Sequence, residues 1–262
     1  MVAPAISSPR RLRQLIRSGR FEGLTTGHVP GHVQANLAIV PASAAADFVA
    51  FCRANAAACP VLAVGEPGDP RLPSLGADID VRSDLPAYRV YRRGRPSETV
   101  ADISAVWQDD HVAVAIGCWF SMEDALAREG VRLRHVELGI QGPLFRTNKP
   151  SVPVGRFGGP LVVSMRPFAR QEVAIVEAVT GRFPRVHGAP IHAGDPCALG
   201  ISDLTKPDFG EPIPVLEGEV SLYWGCGLTA LAALERSQLA CFITHAPGAM
   251  LVTDLLNSDL AD

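Results

Sequence analysis

Short apolar runs alternate with polar, glycine- and proline-rich stretches along the chain. After a first helix ending near Gly19, residues 37–40 read as a strand closed by Pro41. Ser43 caps an alanine-rich helix through Asn55, with Phe48, Val49, Phe51 and Cys52 on its buried side. Residues 61–64 form an apolar strand between Pro60 and Gly65, while 66–73 hold too much proline for regular structure. Residues 88–92 and 98–100 flank Arg93-Gly94-Arg95-Pro96 as a hairpin or a pair of extended edges. One unit then recurs. A strand at 111–117 leads through Cys118-Trp119-Phe120 to a helix start at Ser121. A strand at 220–224 leads through Gly225-Cys226-Gly227 to a helix over 229–236, and one at 240–244 through His245-Ala246-Pro247-Gly248 to the segment from Met250 onward.

Continuous apolar strands followed by helices predict an α/β fold, a mainly parallel sheet with helices on both faces. Residues 131–210 differ in character: a strand at 161–165 behind Phe157-Gly158-Gly159-Pro160, a helix over 169–180, then Gly/Pro-rich chain. They read as a smaller α+β subdomain inserted into a sheet subdomain of 1–130 and 211–262, with the pocket between the two. Ligands in such sheets sit beyond the carboxyl ends of the strands, where helix N-termini present free N–H groups. Cys118, Cys226 and His245 each occupy that position.

Composition narrows the classes. The 262 residues are 47% hydrophobic and 19% charged, enough to bury a core without disulfide or structural metal. A net charge of −3 gives no bulk attraction to nucleic acid or an anionic membrane. No apolar run reaches the roughly 18 residues of a membrane span, and residues 1–13 lack a signal-peptide apolar core. Arg10, Arg11, Arg13, Arg17 and Arg20 read as the solvated face of the first helix. The six cysteines contain no CxxC pair, so the common zinc and redox signatures are missing. The expectation is a cytoplasmic protein that takes a small carboxylic acid, needs no cofactor, and pairs with itself if with anything.

Several motifs stand in order along the chain: Gln34-Ala35-Asn36-Leu37, Pro73-Ser74-Leu75-Gly76-Ala77-Asp78-Ile79-Asp80, Tyr88-Arg89-Val90-Tyr91, Arg146-Thr147-Asn148, and Phe157-Gly158-Gly159-Pro160. Ser164-Met165-Arg166-Pro167, Arg185-Val186-His187-Gly188-Ala189-Pro190, Gly194-Asp195-Pro196 and Thr244-His245-Ala246-Pro247-Gly248 follow. Together they resemble the hydro-lyase family of bacterial proteins related to the N-terminal part of mitochondrial D-glutamate cyclase. The resemblance implies a carbon–oxygen lyase, with D-glutamate to 5-oxo-D-proline plus water as the relative's reaction. Two places depart from the family's pattern: Trp119 stands where serine is expected after the first cysteine, and Ala230 where proline is expected after Thr229. The first sets a bulky ring beside the expected pocket.

No catalytic residue is carried over from the family, so the candidates rest on their own chemistry. Cyclising glutamate needs a neutral amine, an acid for the departing hydroxyl, oxyanion stabilisation and a carboxylate clamp. Arg146, beside Asn148, and Arg166 at a strand end are the clamp candidates; either can instead tie down loop carbonyls. His245, His187 and His192 are the candidate proton carriers, and Cys118 and Cys226 are candidate thiolates or ordinary buried thiols. His111 and His135 read as structural, while His28 and His32 rim the pocket or its approach. His187, His192 and Asp195 offer an alternative metal-ligand set, Asp195 being equally a turn cap or a substrate contact. Asp78 and Asp80 share one face of an extended segment. They bind a cation or an amine there, or close a local turn. The competing function is a non-catalytic binding module for 5-oxoproline or a related acid; a third is a metal-dependent amidohydrolase.

Overall fold

Two antiparallel sheets organise the chain, described here by a computed structural model over Ile6 and residues 8–262. Residues 1–5 and 7, within the stretch searched above for a signal peptide, lie outside the described residues. The larger sheet holds β1 (His32–Pro41), β2 (Val61–Val64), β3 (Tyr88–Arg92), β4 (Arg95–Val100), β5 (His111–Ile116), β10 (Cys241–His245) and β11 (Leu251–Leu256). The smaller one runs β6 (Leu144–Pro150), β7 (Pro160–Ala169), β9 (Glu219–Gly225), β8 (His192–Ala193), so β9 joins it from beyond 131–210. The helices are α1 (Pro9–Arg17), α2 (Ala42–Ala54), α3 (Glu123–Arg128), α4 (Arg134–Leu138), α5 (Val173–Gly181) and α6 (Leu228–Arg236).

The expected mainly parallel α/β sheet is not what forms. Every registered strand pair is antiparallel, and the fold is α+β. The reason lies in what a continuous apolar strand reports. Alternate residues of β5 face opposite ways, Val112 and Val114 toward α2 and α6, Ala113 and Ala115 toward the packed 72–85 segment. Both faces are covered, so the strand is apolar throughout whichever way its neighbours run. The segment from Met250 also departs from a strand–helix reading: its alternation carries β11, which pairs with the first half of β1.

On the first helix Arg10, Arg11, Arg17 and Arg20 are exposed as expected, and Arg13 alone departs. Arg13 is fully buried, donating to the Val252 carbonyl at 2.8 Å and to Asp78 and Asp254. Arg17 closes on Asp84, and Asp80 on Arg82. The helix arginines and the acidic pair thus tie α1 to the 78–84 turn. No helix among the described residues is long and apolar enough to cross a membrane.

The topology still brings strand ends together. β5 and β10 are both antiparallel to β1, on its two sides, so they run in the same direction. Their carboxyl ends therefore meet around Asn36 and Leu37 of β1. There they face the end of β9 from the smaller sheet, and a cavity opens between them.

Candidate active site

The cavity measures about 140 Å³ and is walled by both sheets. The larger sheet supplies Asn36, Arg89 and His245; the smaller supplies Ser164 and Arg166; Cys118, His187 and Cys226 come from the connections. Ser164 and Arg166 are two apart on β7 and so share one face, while Val163 and Met165 pack on the other.

Arg166 is the dominant charge. It is 3% exposed, its Nη1 donating to the Met165 carbonyl and its Nη2 to the Gln141 carbonyl, both at 2.7 Å. Its guanidinium lies 4.9 Å from the centre of the Trp119 ring. No carboxylate pairs with it among the described residues, and its Nε–H has no partner. Burial pulls its pKa down to about 10, which leaves it charged at neutral pH. The Ser164 hydroxyl and the Trp119 indole N–H, on the same wall, are likewise buried without partners. Buried polar atoms are normally satisfied. All three residues line the cavity.

Behind Trp119, His135 packs edge-on to the indole and meets Glu123 through Nε2 at 2.6 Å. That pair braces the ring on which Arg166 rests, giving the histidine read as structural a supporting role.

The two cavity histidines are both neutral at rest. Burial pushes His187 and His245 down to about 4, Arg89 adding to the effect at His245. His187 Nδ1 lies 3.0 Å from the Ala57 carbonyl, an acceptor, so Nδ1 carries the proton and Nε2 keeps a lone pair. Its backbone is left-handed at φ 96°, a strained setting for a non-glycine residue of the kind that clusters at functional sites. Gly225 makes this anchoring possible: a Cβ there would come within 2.6 Å of the same Ala57 oxygen. His245 Nδ1 sits against both backbone groups of Leu37, 3.2 Å from its nitrogen and 3.3 Å from its carbonyl oxygen.

The thiols are also neutral. Burial raises Cys118 to about 12 and Cys226 to about 11, despite backbone N–H groups of Phe120 and Leu228 directed at the sulfurs and the nearby Arg166 charge. Desolvation thus outweighs the helix-terminus effect that suggested thiolates. Gly227 brings the α6 N-terminus against Asn36, where a Cβ would lie 2.7 Å from the amide nitrogen that itself donates to the Gly117 carbonyl.

Five expected residues therefore converge: Cys118, Cys226, His187, His245 and Arg166. Four lie elsewhere. Arg146 and Asn148 point out from β6, Arg146 resting over Phe209 and pairing with Asp208 at 3.3 Å. His192 Nε2 bonds the Asp195 carbonyl at 2.8 Å, and the Asp195 carboxylate caps the Cys197 N–H at 2.9 Å. The alternative ligand set of His187, His192 and Asp195 is thereby dispersed. Among the described residues no three His, Cys, Asp or Glu side chains are grouped to hold a metal ion. His28 packs edge-on to Phe21, and His111 stacks edge-on against Trp107. Arg89, Asn36 and Ser164 were not expected; the signal for Ser164 and Arg89 is a polar residue between apolar neighbours on a buried strand.

The family model described as D-glutamate cyclase matches residues 112–254, a span that holds every one of the five convergent residues. The chain is 53% identical over 254 residues to a protein of Burkholderia multivorans named "Putative hydro-lyase", covering 97% of this chain and 98% of that one. A similarly named protein of Bordetella petrii is 50% identical over 258 residues, covering 98% of each. The chain belongs to the D-glutamate cyclase family of hydro-lyases. Asn36 and Arg89 lie outside the span that the D-glutamate cyclase model matches, so the first third of the chain contributes its own part of the cavity wall. Among solved structures, a nitrogen repressor-like protein from Methanococcus jannaschii aligns over 90% of this chain and 91% of its own at 11% identity and a TM-score of 0.38, a likeness too weak to define a shared fold.

Proposed function

We propose that this chain cyclises D-glutamate to 5-oxo-D-proline with release of water. The observation that carries the reading is Arg166, a charged guanidinium walled into a small cavity with no carboxylate of its own. A buried cation is costly, and a bound substrate carboxylate lowers that cost beyond what the nearby Glu123 charge supplies while fixing its own orientation. The D configuration rests on the family.

The reaction moves two protons. The ammonium nitrogen must give up one to become a nucleophile and a second after it attacks the distal carboxyl carbon. As the C–N bond forms, a tetrahedral oxyanion develops; as the C–O bond breaks, the oxygen leaves carrying both protons as water. A neutral imidazole can receive each proton and return it as imidazolium. His187, with its free Nε2, and His245 are the groups suited to that exchange. The first turn of α6, with Gly227 and Leu228 on the wall, sets the positive end of its dipole toward the developing oxyanion. Cys118 and Cys226, held as thiols, serve as weak donors that line the pocket and form no covalent link. Six free cysteines accord with a reducing compartment, and on that ground the protein belongs in the cytoplasm.

Proton NMR of the protein incubated separately with D-glutamate, L-glutamate and the two 5-oxoproline enantiomers tests the proposal. Interconversion of the D pair alone is expected. Folded protein that converts none of the four, or both enantiomers equally, overturns it.

A further inference from the structure

The geometry points to Arg89 as the residue that makes this cavity selective for dicarboxylates, by holding the carboxylate distal to the one on Arg166. This rests on the reading of the cavity as a glutamate site. Arg89 lies on β3 opposite Thr244 of β10, facing the side of the sheet that α6 covers. It is half-buried, and among the described residues it makes neither an ion pair nor a side-chain hydrogen bond. The acid whose charge couples to it, Glu235 on α6, couples to Arg146 as well and forms no ion pair with Arg89. A partly buried arginine with all its donors free, on a cavity wall, is arranged for an external anion.

Its position separates it from Arg166. A smaller apolar chamber of about 50 Å³ adjoins the main cavity, and Arg89 and His245 line both, whereas Arg166 lines only the larger. The two cations thus come from different sheets, and Arg89, with His245, stands where the two chambers meet. A ligand with a carboxylate at each end satisfies both. In the cyclisation the proximal carboxylate survives, while the distal one is consumed when its carbon bonds to nitrogen and its oxygen departs as water. Arg89 then faces an oxyanion during the reaction and an uncharged lactam after it, so it holds substrate more tightly than product.

The test uses ligands that cannot cyclise. Glutarate has the two carboxylates of glutamate without the amine, and pentanoate has the same five carbons with one carboxylate. Their affinities are measured by calorimetry on the wild-type protein and on Arg89→Met and Arg89→Lys. The wild type is expected to bind glutarate about ten- to a hundredfold more tightly than pentanoate, the scale of one charge-assisted contact. Arg89→Met should bind the two alike with pentanoate affinity unchanged, and Arg89→Lys should restore part of the preference. A wild type with no preference, or no binding of glutarate, overturns the inference, as does an Arg89→Met that keeps the preference. Thermal unfolding without ligand checks that each variant is folded. Turnover is read separately: conversion of D-glutamate by a protein without the glutarate preference defeats only this assignment. A glutarate preference without conversion defeats only the cyclase reading.

Discussion

Replacing His187 with asparagine separates the histidine's proton from its structural bond. An asparagine amide can still donate to the Ala57 carbonyl, and asparagine tolerates the left-handed backbone found at this position. What disappears is the titration. In the native protein the imidazole is depressed from 6.5 to about 4 because burial penalises its charged form. The unfolded chain therefore binds more protons than the native state between those values, and stability falls as pH falls. The contribution is whole above about pH 6.5, declines through the window, and is fully lost below about 4. At about 1.4 kcal/mol per unit the complete loss is about 3 kcal/mol, of which about 2 kcal/mol is gone by pH 5. Urea unfolding of wild type and His187→Asn at pH 7 and pH 5 measures it, since every other titrating group cancels in the difference. The wild type should lose about 2 kcal/mol more than the variant between the two pH values. Parallel losses would refute the claim that a neutral, buried His187 is held in place here. If His187 carries a proton in turnover, the variant's kcat should also fall by about 10²- to 10⁴-fold.

Other outcomes follow from the same geometry. Arg166→Met should abolish conversion of D-glutamate with the fold intact, the loss of a buried charge offsetting the Met165 and Gln141 carbonyls left without their donor; an unfolded variant would mark the arginine as structural. Cys118→Ser and Cys226→Ser should each retain activity within about tenfold, and iodoacetamide should modify neither thiol appreciably at pH 7, since a thiol raised to about 11 or 12 holds almost no thiolate there. Arg13→Met should cost about 3–5 kcal/mol in chemical denaturation by stranding the carboxylates around it, Asp84 among them fully buried, whereas Arg11→Met on the exposed face should cost under about 0.5 kcal/mol.

Much of this arrangement was legible in the chain. The strand ends at Cys118, Cys226 and His245 could be read because apolar runs stop abruptly at polar or glycine-bearing residues. They converge because β5 and β10 run the same way on either side of β1. Strand direction was not legible, since the packing on both faces of β5 erases the alternation that would distinguish an antiparallel strand. The two clamp candidates divide only in three dimensions, Arg166 on the cavity wall and Arg146 off it. Arg166 sits among Val162, Val163, Met165 and Phe168 on a strand buried on both faces, while Arg146 and Asn148 share the solvent face of an edge strand beside Lys149. That contrast in neighbours was the available signal. His192 and Asp195 lie in a Gly/Pro-rich stretch without periodicity, where nothing local fixes which way a side chain points. Arg13 misled because Asp78 and Asp84, which it meets inside the fold, lie more than sixty residues away.

We place the small carboxylate on the guanidinium of Arg166. A crystal structure of the protein with 5-oxo-D-proline tests this most directly. The carboxylate should lie within about 3 Å of the Arg166 guanidinium, with the lactam ring turned toward His245 and Arg89. A ligand bound outside this cavity, or inside it with its carboxylate turned away from Arg166, would overturn that placement.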